Sequence, residues 1–150
     1  HQANLYQQVQ QLNQSLEEQV QERTAQLQMA LSATNMGTWE WDLATHLERW
    51  STQTYGLMGY QVDQQGNIFD LDGQAVNTPP SHNLFLSHVH PDDLEHLERV
   101  QTQSLREQAP FEYEFRFVWS DGSIHWCYTR GAYIFDAHGQ PLRAVGICMD

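Results

Sequence analysis

FEYEFRFVWSDGSIHWCYTRGAYIFDAHGQPLRAVGICM, Phe111 to Met149, reads as three strands joined by two tight turns. Phe111, Tyr113, Phe115, Phe117 and Trp119 alternate with Glu112, Glu114, Arg116 and Val118. That is the period-2 pattern of a strand with two unlike faces. Ser120-Asp121-Gly122-Ser123 follows, and Asp-Gly between two such runs signals a hairpin, because Gly accepts a positive φ. Ile124 to Phe135 is rich in Ile, Trp, Tyr and Thr and forms the second strand. Asp136 to Pro141 turns the chain, and Leu142 to Met149 returns as the third. A meander of this length needs another layer over one face. The preceding residues must supply it.

Composition limits what that layer does. The chain has 150 residues, net charge −12 and seven basic residues, all of them Arg. No basic patch can be drawn, which argues against nucleic acid and anionic membranes as partners. No apolar run is long enough for direct membrane insertion. Cys127 and Cys148 both fall in expected strands and suit a reducing compartment. A rough strand pairing puts them on opposite faces, so no disulfide is expected. The chain starts inside a helical pattern and stops directly after a strand, as a piece of a longer protein would.

Residues 1 to 33 hold no Gly or Pro, and ten glutamines fall in the first 31 positions. Leu5, Leu16 and Leu27 are eleven apart, as are Val9, Val20 and Leu31, and Leu12 joins the same stripe. An eleven-residue repeat keeps one stripe on a nearly straight helix. A long helix with one narrow stripe needs a partner. Two partners fit: a second copy, giving a parallel coiled-coil homodimer, or the chain's own domain, with the helix folded back.

Beyond the break at Ser32 to Gly37, Thr38 to Leu43 and Leu47 to Trp50 make a small hairpin, with Trp39, Trp41 and Leu43 on one side. Ser51 caps a short helix to about Met58, closed by Gly59. Residues 61 to 83 carry Gly66, Gly73, Pro79 and Pro80 and read as an unorganised surface loop. Asp70-Leu71-Asp72-Gly73 is too incomplete for a calcium loop. Asn83 to Val89 is a short helix. His90-Pro91-Asp92-Asp93 starts a longer one, with Pro at its first position and acids at the positive end of its dipole. Leu94, Leu97, Val100 and Leu105 are its buried stripe, and it ends near Gln108.

Several motifs fall along this order: Trp39-Glu40-Trp41-Asp42-Leu43, Trp50-Ser51, His90-Pro91-Asp92-Asp93, Glu114-Phe115-Arg116, Asp121-Gly122 with Trp126, and Gly139-Gln140-Pro141 followed by Gly146 and Asp150. As an ordered set they resemble a PAS domain of the kind common in bacterial sensor proteins, over residues 34–150. The helix before it, residues 1–33, resembles the linkers that join modules of sensor histidine kinases. The resemblance implies an α+β fold: a five-stranded antiparallel sheet in the order 2-1-5-4-3, with helices on its concave face. It implies a cytoplasmic, non-catalytic module that senses, dimerises or relays, with Asp150 where the signal leaves for neighbouring domains of the same chain. The long loop at 61–83 departs from the compact family pattern.

Chemistry is sparse. His88, His90 and His96 lack the spacing of a metal site. In haem-binding members that this chain resembles, the axial histidine sits on the long helix, and His96 is the residue in that region. Leu94 and Leu97 own the buried stripe, however, and His96 reads as solvated. In the flavin-binding members that this chain resembles, the reactive cysteine sits on a helix, whereas Cys127 and Cys148 fall in expected strands, so the resemblance implies no covalent flavin photochemistry. The paired carboxylates converge with nothing catalytic. Aromatic residues remain. Trp41, Tyr55, Phe115, Trp126 and Tyr128 either line a cavity for a small-molecule ligand or are plain core. Arg116 inside such a cavity would take an acidic ligand, or it pairs with a neighbouring carboxylate. The resemblance thus implies a sensory module, most simply of a two-component histidine kinase. The alternative is a ligand-free dimerisation scaffold in a signalling protein such as a cyclic-dinucleotide enzyme.

Overall fold

The computed structural model describes residues 2–150. They form two compact units, one ending at Asn35 and one spanning Met36–Asp150. The first is a single helix, α1 (Gln2–Ala33), with no buried residue. Along it Leu5, Val9, Leu12, Leu16, Val20 and Leu27 are all exposed, and Leu31 is half-buried.

The second unit contains β1 (Gly37–Asp42), β2 (Glu48–Trp50), α2 (Thr52–Leu57), β3 (Gln61–Val62), β4 (Ile68–Phe69), α3 (His82–His88), α4 (Pro91–Glu107), β5 (Phe111–Val118), β6 (Ile124–Phe135) and β7 (Pro141–Met149). Five strands form one antiparallel sheet in the order β2-β1-β7-β6-β5. This is the expected 2-1-5-4-3 order with two short strands interposed. The local signals explain the elements. Ser51 adopts extended backbone and its hydroxyl accepts from the Thr54 N–H, starting α2. Ser81 does the same for α3. Pro91 occupies the first turn of α4, and Gln108 ends it in the left-handed region at φ 52°.

The loop at 61–83 is organised rather than irregular. Asp63-Gln64-Gln65-Gly66-Asn67 and Asp70-Leu71-Asp72-Gly73-Gln74 are two copies of one turn. In each, the Asp carboxylate accepts backbone N–H groups two and four residues on, and the glycine donates back to the Asp carbonyl. Asp136-Ala137-His138-Gly139-Gln140, between β6 and β7, is a third copy. The three glycines share φ values of 84°, 82° and 79°, a region open to Gly without steric cost. Asp70 to Gly73 is therefore a hairpin turn.

The core lies on the concave side of the sheet. Phe111, Tyr113, Phe115 and Phe117 of β5 point into it, as do Cys127, Thr129 and Tyr133 of β6 and Ala144 and Cys148 of β7. Both cysteines share this face, contrary to the rough pairing: Cys148 is opposite Thr129, so Cys127 lies diagonal to it on the same side. Both are free thiols. The neighbouring Cys148 sulfur, aided by burial, pushes the Cys127 thiol far up, so it stays protonated.

A transverse row sets the floor. Trp39 of β1 is opposite Gly146, Gly146 is opposite Gly131, and Gly131 is opposite Phe111. The two glycines leave a lane in which the Trp39 indole lies flat, reaching Phe111 at a ring separation of 6.0 Å. A Cβ on Gly146 would overlap both the Trp39 ring and the Arg130 carbonyl.

Candidate ligand site

Residues 80–93 form a strap that is pinned to both edges of the sheet. At the β2 edge, Leu47 bridges Ser81, the Glu48 N–H donates to the Pro80 carbonyl, and the His82 N–H donates to the His46 carbonyl. At the β5 edge, Val89 bridges Phe117, and the His90 N–H donates to the Arg116 carbonyl. Asp93 completes this end: its carboxylate accepts from the Arg116 backbone N–H and, in a two-pronged pair, from the guanidinium at 3.0 and 2.8 Å. The Arg116 guanidinium holds the Asp93 carboxyl below the usual carboxylate range, aided by that backbone N–H. Edge strands with free N–H groups invite unwanted pairing, and the strap covers part of both. Between its ends, α3 lays Phe85 edge-on against Phe115 and Phe117.

A cavity of about 30 Å³ remains between strap and sheet. Trp39, Trp41, Trp50, Phe85, Phe115 and Met58 are among its walls, with few polar groups. Two of these are charged or chargeable. Glu48, only 8% exposed, accepts from Trp50 Nε1 at 2.9 Å and from His82 Nδ1 at 3.0 Å. The His82 ring lies flat on the Trp41 indole, 3.7 Å away and 4° from parallel. Trp41 Nε1 is buried without an acceptor, the sole such side-chain atom among the described residues. Deeper in, burial pushes the Tyr113 phenol far above the ordinary value. Tyr133 is pushed up to about 12 by burial as well. Neither phenol ionises near neutrality.

The structure divides the sequence-derived candidates. Trp41 and Phe115 line the cavity. Tyr55 stands behind the wall, edge-on to Trp50 at 5.2 Å. Trp126, Tyr128 and Arg116 do not belong to the cavity. Trp126 is 57% exposed on the outer face, with the Arg116 guanidinium 5.3 Å above its ring. Tyr128 donates to Glu112 on that same face. Arg116 is committed to Asp93 and offers no inward charge for an acidic ligand. Size misled here: along its middle β6 turns Cys127, Thr129 and Gly131 inward, because the β5 rings and Trp39 already fill that side. His96 is exposed on α4 and does not line the cavity. Glu48 and His82 were missed. Their partners are 34 residues apart, and no local pattern announces the pair.

A second aromatic group flanks the site. Tyr60 and His88 share a 2.7 Å hydrogen bond, and burial lowers His88, favouring the neutral ring that accepts from the phenol.

The architecture defines the class: a small α+β module with a strapped aromatic cavity on the concave side of a five-stranded sheet. A family model described as the PAS fold matches residues 63–148, more than half of the sequence, and the chain belongs to that family. Among solved structures, it is similar to a sensory box histidine kinase/response regulator from Burkholderia thailandensis (TM-score 0.65, 24% identity, covering 83% of this chain and 82% of that one). It is also similar to the N-terminal domain of a diguanylate cyclase with PAS/PAC sensor from Marinobacter aquaeolei (TM-score 0.59, 16% identity, covering 77% of this chain and 94% of that one). Among curated proteins, it is 30% identical over 115 residues to the sensor protein FixL of Bradyrhizobium diazoefficiens, covering 77% of this chain. It is 27% identical over 140 residues to the probable diguanylate cyclase DgcE of Escherichia coli, covering 93% of this chain. The chain spans 20% and 11% of the length of these two relatives. No helix among the described residues is long and apolar enough to cross a membrane.

Proposed function

We propose that this chain is the sensory relay module of a multidomain bacterial signalling protein, a two-component histidine kinase in the first instance, working in the cytoplasm. The observation that carries this reading is the uncovered apolar stripe of α1, repeated at eleven-residue spacing on a 32-residue helix. A second copy of the chain would cover it in a parallel coiled coil. The module itself performs no chemistry. A small molecule or partner that favours one packing of the strap over another shifts the population between two dimer geometries, and neighbouring domains beyond Asp150 read the result. The FixL likeness supports a sensor role, and the DgcE likeness supports the same role in a cyclase.

Sedimentation velocity on the full chain tests the dimer. The wild type is expected to sediment as a dimer, and Leu16→Glu with Val20→Glu as a monomer that keeps its near-UV circular dichroism. A double variant that stayed dimeric would sink the coiled-coil relay. One observation favours a second reading, a ligand-free scaffold: the cavity of about 30 Å³ has room for only one or two waters.

A further inference from the structure

The smallness of the cavity and the His82 stack have one explanation. We propose that the His82 imidazole is an internal occupant of a ligand site, standing where a flat nitrogen heterocycle, neutral or cationic, binds. The inference rests on the sensor reading and supplies its ligand class.

Three features of the site are built for such a ring. The Trp41 indole is a platform, already in face-to-face contact at 3.7 Å. Glu48 is a buried acceptor at the platform's edge, fixed by the Trp50 N–H on its other oxygen and so aimed at one ring N–H. Trp41 Nε1 is an unused buried donor, ready for a carbonyl or ring nitrogen arriving at the indole edge. Among the described residues no Arg lines the cavity and its one carboxylate is Glu48, so an anion finds no guanidinium there and meets repulsion. His82 satisfies the first two features and leaves the third unmet. Its backbone is held by the strap's bond to His46, so only the side chain has to swing out. Its side chain is 14% exposed, at the rim and close to solvent. The imidazole thus keeps Glu48 paired while the site is empty of other molecules, and a heterocycle binds by replacing it ring for ring.

Titration of the full chain with benzimidazole, imidazole and benzoate, read by tryptophan fluorescence and thermal shift, tests this. In His82→Ala, benzimidazole is expected to bind at least tenfold more tightly than in wild type. Imidazole is expected to restore part of the lost thermal stability, and benzoate to do neither. Adding Glu48→Gln to His82→Ala should weaken benzimidazole and narrow its advantage over benzoate. Equal binding by His82→Ala and wild type, or benzoate binding as well as benzimidazole, overturns the proposal, as does binding of no probe to either protein. Should His82→Ala fail to fold, the wild type decides by NMR. Saturating benzimidazole must move the His82 ring protons out of the Trp41 ring current, and unchanged His82 resonances overturn the displacement. A dimer that binds no probe removes the ligand class and leaves the relay. A monomer that binds benzimidazole does the reverse.

Discussion

The two faces of the five-stranded sheet come from the same strands and are stabilised by different means. On the concave face, Phe111, Tyr113, Phe115 and Phe117 are between 1% and 6% exposed and pack ring against ring. On the outer face, Ile124 and Trp126 are more than half exposed, and the order there comes from polar pairs: Arg143 with Glu40, Tyr128 with Glu112. Burial of apolar area acts on the first face, and solvent-screened pairing acts weakly on the second. A strand that alternates Phe and Glu is thus fixed in register by one face alone, since a one-residue slip would bury the carboxylates.

The contrast can be broken most sharply at Phe115, which is 1% exposed. Phe115→Ala is expected to destabilise the domain by about 3–5 kcal/mol, from lost transfer and an unfilled cavity. Urea denaturation measures it, and a loss below about 1 kcal/mol would mean that the concave face is not the core. Asp93 comes next, because it ties the strap to the edge strand. Asp93→Asn should cost about 1–2 kcal/mol at neutral pH, reduced from a fully buried pair by partial solvent exposure. The pH dependence has a definite sign. A carboxyl held below its unfolded value stabilises above that value, about 4, and the benefit is lost as pH falls through the depressed folded value. The gap between wild type and Asp93→Asn should therefore be constant from pH 7 to about 5 and close on further acidification. A gap that persists in strong acid would assign the effect to packing. The smallest effect is expected on the outer face: Trp126→Ser should change stability by less than about 1 kcal/mol, the scale of an exposed cation–π contact. A larger loss in the dimer than in the Leu16→Glu, Val20→Glu monomer would show that the outer face is covered on assembly.

Much of the sheet was legible because its signals are local. Alternation marked β5, turn chemistry marked the hairpins, and Ser51 and Pro91 marked helix starts within a residue. The failures share a cause. The turn Asp-x-x-Gly-Asn/Gln occurs at Asp63, Asp70 and Asp136, and reading the third as a turn would have identified the other two, so residues 61–74 could have been read as paired turns. The site was less legible. Which aromatics face inward on β6 depends on space already taken by Trp39 across the Gly146–Gly131 lane, a three-strand property invisible along any one strand. Glu48 and His82 meet because the strap returns to the β2 edge, and nothing in either neighbourhood predicts the encounter.

The position of β7 bears on how the protein is made. The last strand in the chain is the middle strand of the sheet, with β1 on one side and β6 on the other. During synthesis the first hairpin, the strap and the β5–β6 hairpin all leave the ribosome before anything can join them into one sheet. Closure waits for Pro141–Met149, and its pairing of Gly37 with Cys148 spans nearly the whole domain, a long-range contact of the kind that slows folding. Until then β1 and β6 each present an open edge, and the nascent domain is most prone to aggregation in the interval before its final ten residues appear.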